Sequence, residues 1–187
     1  MRQGFIKTAA VTPDIRVADV AYNTEEIIKK MKEAAGLGAK IIVFPELCIT
    51  GYTCGDLFTQ DVLLKEAKKG LGKIIAASQD VDALVFIGCP VEADGELFNT
   101  AAAVCKGKLL GLTTKTFLPN YGEFYEMRQF CPGPDTVRNI RFLGETIPFG
   151  PKILFESEEV EGLIVAAEIC EDVWSPIPPS IQEAMEG

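Results

Sequence analysis

Three residues with side chains suited to acid-base or nucleophilic chemistry each stand at the end of an apolar, strand-like run: Glu46, Lys115 and Cys170. Alone, each has a simpler explanation, since a loop acid and a lone lysine are usually solvated and a cysteine beside apolar residues is usually buried and unreactive. In combination, a carboxylate, an ammonium group and a thiol provide the base, the cation and the nucleophile of an acyl-transfer site. Because ligands bind at strand ends in α/β sheets, the three residues are predicted to share one site.

The chain has no histidine among its 187 residues. This excludes a Ser-His or Cys-His nucleophile pair within the chain, and with it a histidine-rich metal site. The six cysteines form no C-x-x-C pair, so neither a zinc site nor a disulfide scaffold is predicted. A thiol with a pKa near its usual value of about 8.5 is only a few per cent ionised at neutral pH and needs an activator. Glu46 is therefore the candidate general base for Cys170.

The overall composition excludes several classes of protein. The formal net charge of -9 and a pI of about 4.6 argue against nucleic-acid binding, which normally requires a basic face. No apolar run approaches the roughly 18 residues that a membrane helix needs, and the first residues lack the features of a signal peptide. We therefore expect a cytoplasmic protein that binds neither nucleic acid nor membrane.

Helical and strand-like patterns alternate along the chain, which predicts the α/β class and one domain over 1–187. Asn23 or Thr24 is the predicted N-cap of the first helix, and Gly36 is placed to end it. A hairpin turn is predicted at 106–107. The predicted helices cover 23–35 and 61–78, and the predicted strands cover 4–11, 39–44, 83–88, 98–105, 108–115 and 162–169.

Three short motifs around these residues resemble the nitrilase superfamily and its Glu-Lys-Cys triad. They are Phe-Pro-Glu-Leu at 44–47, Lys115 followed by Leu118-Pro119, and Glu-Ile-Cys-Glu-Asp at 168–172. Over longer segments the chain is most similar to the glutaminase domains of glutamine-dependent NAD synthetases, a resemblance that spans about 4–174. The three segments are FPELCITGY at 44–52, KTFLPNYGEFYE at 115–126 and ICEDVW at 169–174.

This resemblance implies a fold, a reaction and further site residues. The fold would be a four-layer α-β-β-α sandwich, truncated here at its C-terminal side. The reaction would be hydrolysis of the glutamine amide through a thioester on Cys170, with Lys115 and a backbone N–H holding the oxyanion. Glu123 would be the fourth polar residue of the triad region and would position the lysine and the substrate. The residues implied to shape the glutamine pocket are Tyr52, Tyr121, Phe124 and Glu171.

The resemblance also implies partners, while two other functions stay open. Glutamine hydrolysis would need no cofactor and no metal, and ATP and Mg would serve only a synthetase domain, absent from this chain, that converts deamido-NAD to NAD. Glutamine and that domain are the implied partners, and exposed sheet edges predict a homo-oligomer. The alternatives are another amidase of the superfamily, of the carbamoylase or ω-amidase type, and a non-catalytic fragment that serves in assembly.

Overall fold

The computed structural model describes residues 4–186, and a mixed seven-stranded sheet lies at its centre. In chain order its strands are β1 (Thr8–Ala10), β2 (Ile41–Val43), β3 (Leu84–Ala93), β4 (Glu96–Cys105), β5 (Lys108–Thr114), β6 (Arg138–Phe142) and β7 (Glu145–Gly150). Their order across the sheet is β1-β2-β3-β4-β5-β7-β6. The strands β1 to β3 are parallel, β3 to β5 form an antiparallel meander, and β7 is parallel to β5. This confirms the α/β class.

Two long helices cover one face of the sheet, α1 (Val20–Gly36) and α2 (Asp61–Ala77). Ile27 and Met31 of α1 and Ile74 of α2 are fully buried, and each buried apolar side chain of this size stabilises the fold by roughly 1.5–3 kcal/mol. The apolar residues of β3 alternate between the two faces, so that Val85 packs under the helices and Phe86 does not. A third helix, α3 (Pro179–Glu186), ends the described chain.

The start of α1 differs from the prediction. Its N-cap is Asp19, whose carboxylate accepts a hydrogen bond from the N–H of Tyr22 at 3.1 Å. The predicted caps, Asn23 and Thr24, lie inside the helix and are buried. The side-chain amide of Asn23 instead accepts from and donates to the backbone of Arg16, at 2.8 Å in both cases. Asn23, although of a residue type that favours helix caps, therefore makes a tertiary contact instead of capping the helix.

The opposite face of the sheet is covered by the segment that leads to Cys170. This segment contains the short antiparallel strands β8 (Phe155–Glu156) and β9 (Ile164–Val165). Phe155 packs edge-on against Phe86, with ring centroids 5.6 Å apart, and Ile169 joins the same apolar cluster. The strand predicted over 162–169 is therefore wrong in extent, because only two of its residues pair.

Two hairpins were not predicted. The strands β3 and β4 extend further than predicted and are joined by a two-residue turn at Asp94-Gly95, where φ is 53° and 81°. Turns with positive φ at both residues are favoured in hairpins because their backbone twist matches that of the two strands. A second hairpin joins β6 and β7 through Leu143-Gly144. Within 4–186, every helix is too short or too polar to cross a membrane.

Candidate active site

Glu46 lies in a tight turn that crosses closely over β3. The turn begins directly after β2, and the N–H of Cys48 closes it by donating to the carbonyl of Pro45 at 3.3 Å. Gly88 of β3 makes this crossing possible, because a Cβ at that position would lie 2.3 Å from the carbonyl oxygen of Pro45. The side chain of Glu46 is 16% exposed and points toward β4 and β5, where it meets Asn99 and Lys115.

Lys115 follows β5 and is one of the most deeply buried side chains in the structure, with 1% of the residue exposed. Its Nζ donates to Oε1 of Glu46 at 2.6 Å and to both carboxylate oxygens of Glu126, at 2.7 and 2.9 Å. Burial lowers the pKa of Lys115, but the two carboxylates outweigh this effect and the pKa is raised overall. The lysine is therefore a fixed positive charge at neutral pH.

The carboxylate that positions the lysine is Glu126, so the assignment of this role to Glu123 is corrected. Glu126 begins a short 3₁₀ turn (Glu126–Arg128) and is 4% exposed, whereas Glu123 is exposed three residues earlier. Glu123 lies instead at the rim of a cavity of about 440 Å³ beside Glu126. The spacing from Lys115 could not decide between the two glutamates, because the 3₁₀ turn determines which of them faces inward.

Asn99 of β4 is a second residue of the site that the sequence did not reveal. It is 1% exposed, and its side-chain Nδ2 donates to Oε1 of Glu46 at 2.6 Å. The carbonyl of Asn99 also accepts the N–H of Lys115 at 2.9 Å. Asn99 therefore contacts the base through its side chain and the lysine through its backbone. The available signal was a pair of polar residues, Asn99 and Thr100, followed by an apolar stretch of the same strand.

Cys170 lies at the start of a 3₁₀ helix (Cys170–Trp174), and its residue is exposed. Its φ of 49° lies in the left-handed region, which costs a non-glycine residue roughly 1–2 kcal/mol. Protein atoms around the sulfur desolvate it and raise the pKa of the thiol, and the negative charge of Glu46 raises that pKa further. The positive charge of Lys115 lowers it, but not enough to compensate. The thiol therefore keeps its proton at neutral pH and requires a base.

The four predicted pocket residues lie together around this group. Phe124 stacks edge-on with Tyr52 and with Tyr121, with centroid distances of 6.4 and 5.9 Å. The hydroxyl of Tyr121 donates to both oxygens of Glu171, at 3.0 and 2.8 Å. The hydroxyl of Tyr52 donates to Oε1 of Glu126 at 2.7 Å, and burial followed by this hydrogen bond raises its pKa. Tyr52 thus supports the lysine-carboxylate pair as well as the aromatic row.

The arrangement combines a protonated thiol, an adjacent carboxylate and a fixed buried cation. A carboxylate beside a thiol can accept its proton, and a fixed cation can stabilise an oxyanion that forms on a carbonyl carbon. In the part of the chain that the structure describes, no three Cys, Asp or Glu side chains are grouped to hold a metal ion. The chemistry available to these residues is acyl transfer through the cysteine.

Comparison with protein families and curated proteins identifies related chains. The model of the carbon-nitrogen hydrolase family matches residues 7–180. A glutamine-dependent NAD(+) synthetase of Mycobacterium leprae is 36% identical over 185 residues, which are 99% of this chain and 27% of that protein. The enzyme of the same name from Aquifex aeolicus is 35% identical over 171 residues, 91% of this chain and 26% of its own length. This chain therefore spans about a quarter of these relatives.

Solved structures agree in fold. A glutamine-dependent NAD(+) synthetase from Cytophaga hutchinsonii superposes with a TM-score of 0.76 at 29% identity, over 82% of this chain and 26% of that chain. An amidase from Nesterenkonia superposes with a TM-score of 0.60 over 79% of this chain and 56% of its own. At 22% identity the amidase shows a common nitrilase-like fold and nothing more specific.

Proposed function

This chain belongs to the carbon-nitrogen hydrolase family, and we propose that it hydrolyses the side-chain amide of glutamine to glutamate and ammonia. The observation that carries the proposal is the buried Lys115 held between two carboxylates, beside the Cys170 thiol, in a chain without histidine. The choice of glutamine is supported by the relatives that are 34–36% identical over nearly the whole chain, all glutamine-dependent NAD(+) synthetases.

In the first half of the reaction, Cys170 attacks the amide carbon while its thiol proton passes to the carboxylate of Glu46. A bond forms between the sulfur and the carbon, and the carbonyl oxygen becomes an oxyanion held by Lys115 and by the backbone N–H that follows Cys170. Removing one oxyanion donor typically costs about 3 kcal/mol of transition-state stabilisation. Glu46 then returns the proton to the leaving nitrogen, the carbon-nitrogen bond breaks, and ammonia leaves a glutamyl thioester.

In the second half, water replaces ammonia at the same carbon. Glu46 accepts a proton from the water, the hydroxyl oxygen attacks the thioester, and the carbon-sulfur bond breaks with the proton returning to the sulfur. Glutamate is released and Cys170 is regenerated. Because Asn99 and Lys115 both donate to Oε1 of Glu46, the other carboxylate oxygen is the one available for these proton transfers.

Substrate selection is assigned to the side chains at the mouth of the site. Glu171, next to the nucleophile in sequence, offers a half-buried carboxylate to the α-ammonium group of glutamine, and Tyr121 holds that carboxylate by its hydroxyl. Phe124 supplies an apolar wall for the methylene groups. A substrate without an α-ammonium group would lose the contact with Glu171, which distinguishes glutamine from the ω-amides of keto acids.

Ammonia from this site would serve a synthetase domain of the parent protein, which would use ATP to convert deamido-NAD to NAD. The names of the relatives and the share of their length that this chain spans support this role. Synthesis of NAD would then depend on sequence outside these 187 residues. Location in the cytoplasm and association into homo-oligomers stay predictions from the sequence.

The proposal is tested by measuring ammonia release from glutamine, an N-carbamoyl amino acid and a keto-acid ω-amide under the same conditions. Hydrolysis should be fastest with glutamine and should be abolished in Cys170→Ala. Cys105→Ala is the matched control, since Cys105 is a partly buried thiol on β4 outside the site, and it should retain activity. Faster hydrolysis of either other substrate would replace glutamine in the proposal, and equal activity of Cys170→Ala would reject the cysteine mechanism.

A further inference from the structure

Asp172 joins the turn that carries Cys170 to the segment that follows Lys115. Its Oδ1 accepts the N–H groups of Thr116 at 3.0 Å and of Phe117 at 2.8 Å. Its Oδ2 accepts the N–H of Ile169 at 3.2 Å, and the backbone N–H of Asp172 donates to the carbonyl of Ile169 at 3.1 Å. One carboxylate therefore connects two segments of chain that are more than 50 positions apart in the sequence.

The carboxylate of Asp172 is buried, so its hydrogen bonds are needed to offset the loss of solvation. Asp172 is 2% exposed, and a buried charge is unfavourable unless it is well paired. Desolvation raises the pKa of Asp172, and the N–H groups of Phe117, Ile169 and Thr116 offset this effect only in part. Only a carboxylate accepts on both oxygens, whereas an asparagine would place an NH₂ donor against one of the N–H donors.

The hydrogen bonds of Asp172 lie next to the strained backbone of Cys170. Its left-handed conformation, with φ of 49°, persists only where the surrounding structure determines it. Asp172 contacts the backbone on the N-terminal side of Cys170, at Ile169, and fixes it to the residues directly after Lys115. The carboxylate thus joins the backbone next to the nucleophile to the backbone next to the lysine.

We propose that Asp172 is a positioning residue for the nucleophile, which holds Cys170 in its strained conformation at the correct distance from Lys115 and Glu46. Its kinetic consequence rests on the proposed function, while its structural consequence does not. The Asp172 carboxylate accepts from backbone N–H groups, so its loss should reduce turnover more than substrate binding. A misplacement of reacting groups by about 1 Å can cost on the order of 100-fold in rate.

The test compares Asp172→Asn, which keeps the shape of the side chain, with wild type and with Ser78→Ala. Ser78 is also buried, and its hydroxyl accepts the N–H of Gly107 at the hairpin turn of β4 and β5, away from the site. For each protein the measurements are kcat and KM for glutamine, the melting temperature, and hydrogen exchange at the amides of Thr116, Phe117 and Ile169.

For Asp172→Asn we expect a folded protein whose kcat is lower by about 10- to 100-fold, with KM changed by less than about threefold. Exchange at the Ile169 amide should accelerate relative to wild type. Ser78→Ala should lower the melting temperature and leave kcat within about twofold. A kcat for Asp172→Asn within about twofold of wild type, or an equal loss in Ser78→Ala, would overturn the proposal. If the wild type does not hydrolyse glutamine, the proposed function fails, and unchanged exchange at Ile169 would then overturn the positioning role separately.

Discussion

The side-chain amide of Asn99 donates to Oε1 of Glu46 at 2.6 Å, the same oxygen that accepts from Lys115. Two donors on one oxygen fix the plane of the carboxylate and leave the other oxygen without either of these contacts. In the proposed mechanism this carboxylate exchanges protons with a thiol and with water, and its orientation determines how well the proton transfers are aligned.

Replacement of Asn99 by alanine should therefore affect turnover. We expect kcat for glutamine to fall by roughly 10-fold, because Glu46 loses one of its two fixed donors, while KM changes little. Steady-state kinetics with purified variants provides the measurement. Thr100→Val is the matched control, since Thr100 is the adjacent buried polar residue and bonds to Cys89 outside the site. An unchanged kcat in Asn99→Ala would mean that Lys115 alone orients the carboxylate.

Glu126, which begins the 3₁₀ turn, and Glu123, three residues before it, should respond differently to the same substitution. In Glu126→Gln the buried Lys115 loses one of its two carboxylate partners, so kcat should fall by about 100-fold and the melting temperature should decrease. In Glu123→Gln an exposed side chain is changed, and kcat should stay within about twofold. The reverse pattern would restore Glu123 as the residue that positions the lysine.

The pH dependence of Cys170 reactivity tests the electrostatics of the site. The raised pKa of this thiol means that its alkylation by iodoacetamide should increase with pH through a midpoint above the usual value of about 8.5. Glu46 raises that pKa, so Glu46→Gln should move the midpoint to lower pH. Lys115 lowers it, so Lys115→Gln should move the midpoint to higher pH. Quantitative mass spectrometry of the Cys170 peptide gives the rates, and shifts of the opposite sign would contradict the assigned charges.

Glu183, a buried acid in α3, should make the free energy of unfolding depend on pH. Burial raises the pKa of Glu183 from 4.5 to about 7, and the charges of Glu168 and Asp172 add to this effect while Lys152 opposes it. Because the folded state binds this proton more tightly than the unfolded state does, the stabilisation from protonated Glu183 is complete below about pH 4.5 and is lost as pH rises through about 7.

Glu183→Gln should remove this dependence and make the protein more stable than wild type at pH 8. Urea unfolding at pH 5 and at pH 8 measures the effect. Glu186→Gln, at an exposed position of the same helix, is the control and should change the free energy of unfolding by less than about 0.5 kcal/mol. A wild-type protein whose stability is equal at both pH values would show that Glu183 is solvated in solution.

The sequence predicted those parts of the fold that local patterns encode. Helix α2 follows its apolar periodicity and ends within one residue of the predicted position. The extent of β3 and β4 was missed because the charged residues near their turn, among them Glu92 and Glu96, resemble a loop although both lie within the paired strands. The Asp94-Gly95 pair was the local signal for that hairpin.

The site could be predicted only where chemistry selects the residue type. Glu46, Lys115 and Cys170 were predicted to share one site because residue types suited to be a base, a cation and a nucleophile are distinctive together. Glu126 and Asp172 were missed because their roles depend on burial and on partners distant in sequence. Asp172 in particular accepts from backbone N–H groups, and no residue type marks such a partner.

The most direct test of the account is covalent labelling with 6-diazo-5-oxo-L-norleucine, a glutamine mimic that alkylates an activated thiol. Wild type, Cys170→Ala, Glu46→Ala and Lys115→Ala would be treated in parallel, with Cys105→Ala as the control, and the modified residues identified by mass spectrometry. The account predicts one label on Cys170 in wild type and in Cys105→Ala, and none in the three site variants. Labelling of no cysteine, or equal labelling of all six, would contradict a glutamine-recognising site at Cys170.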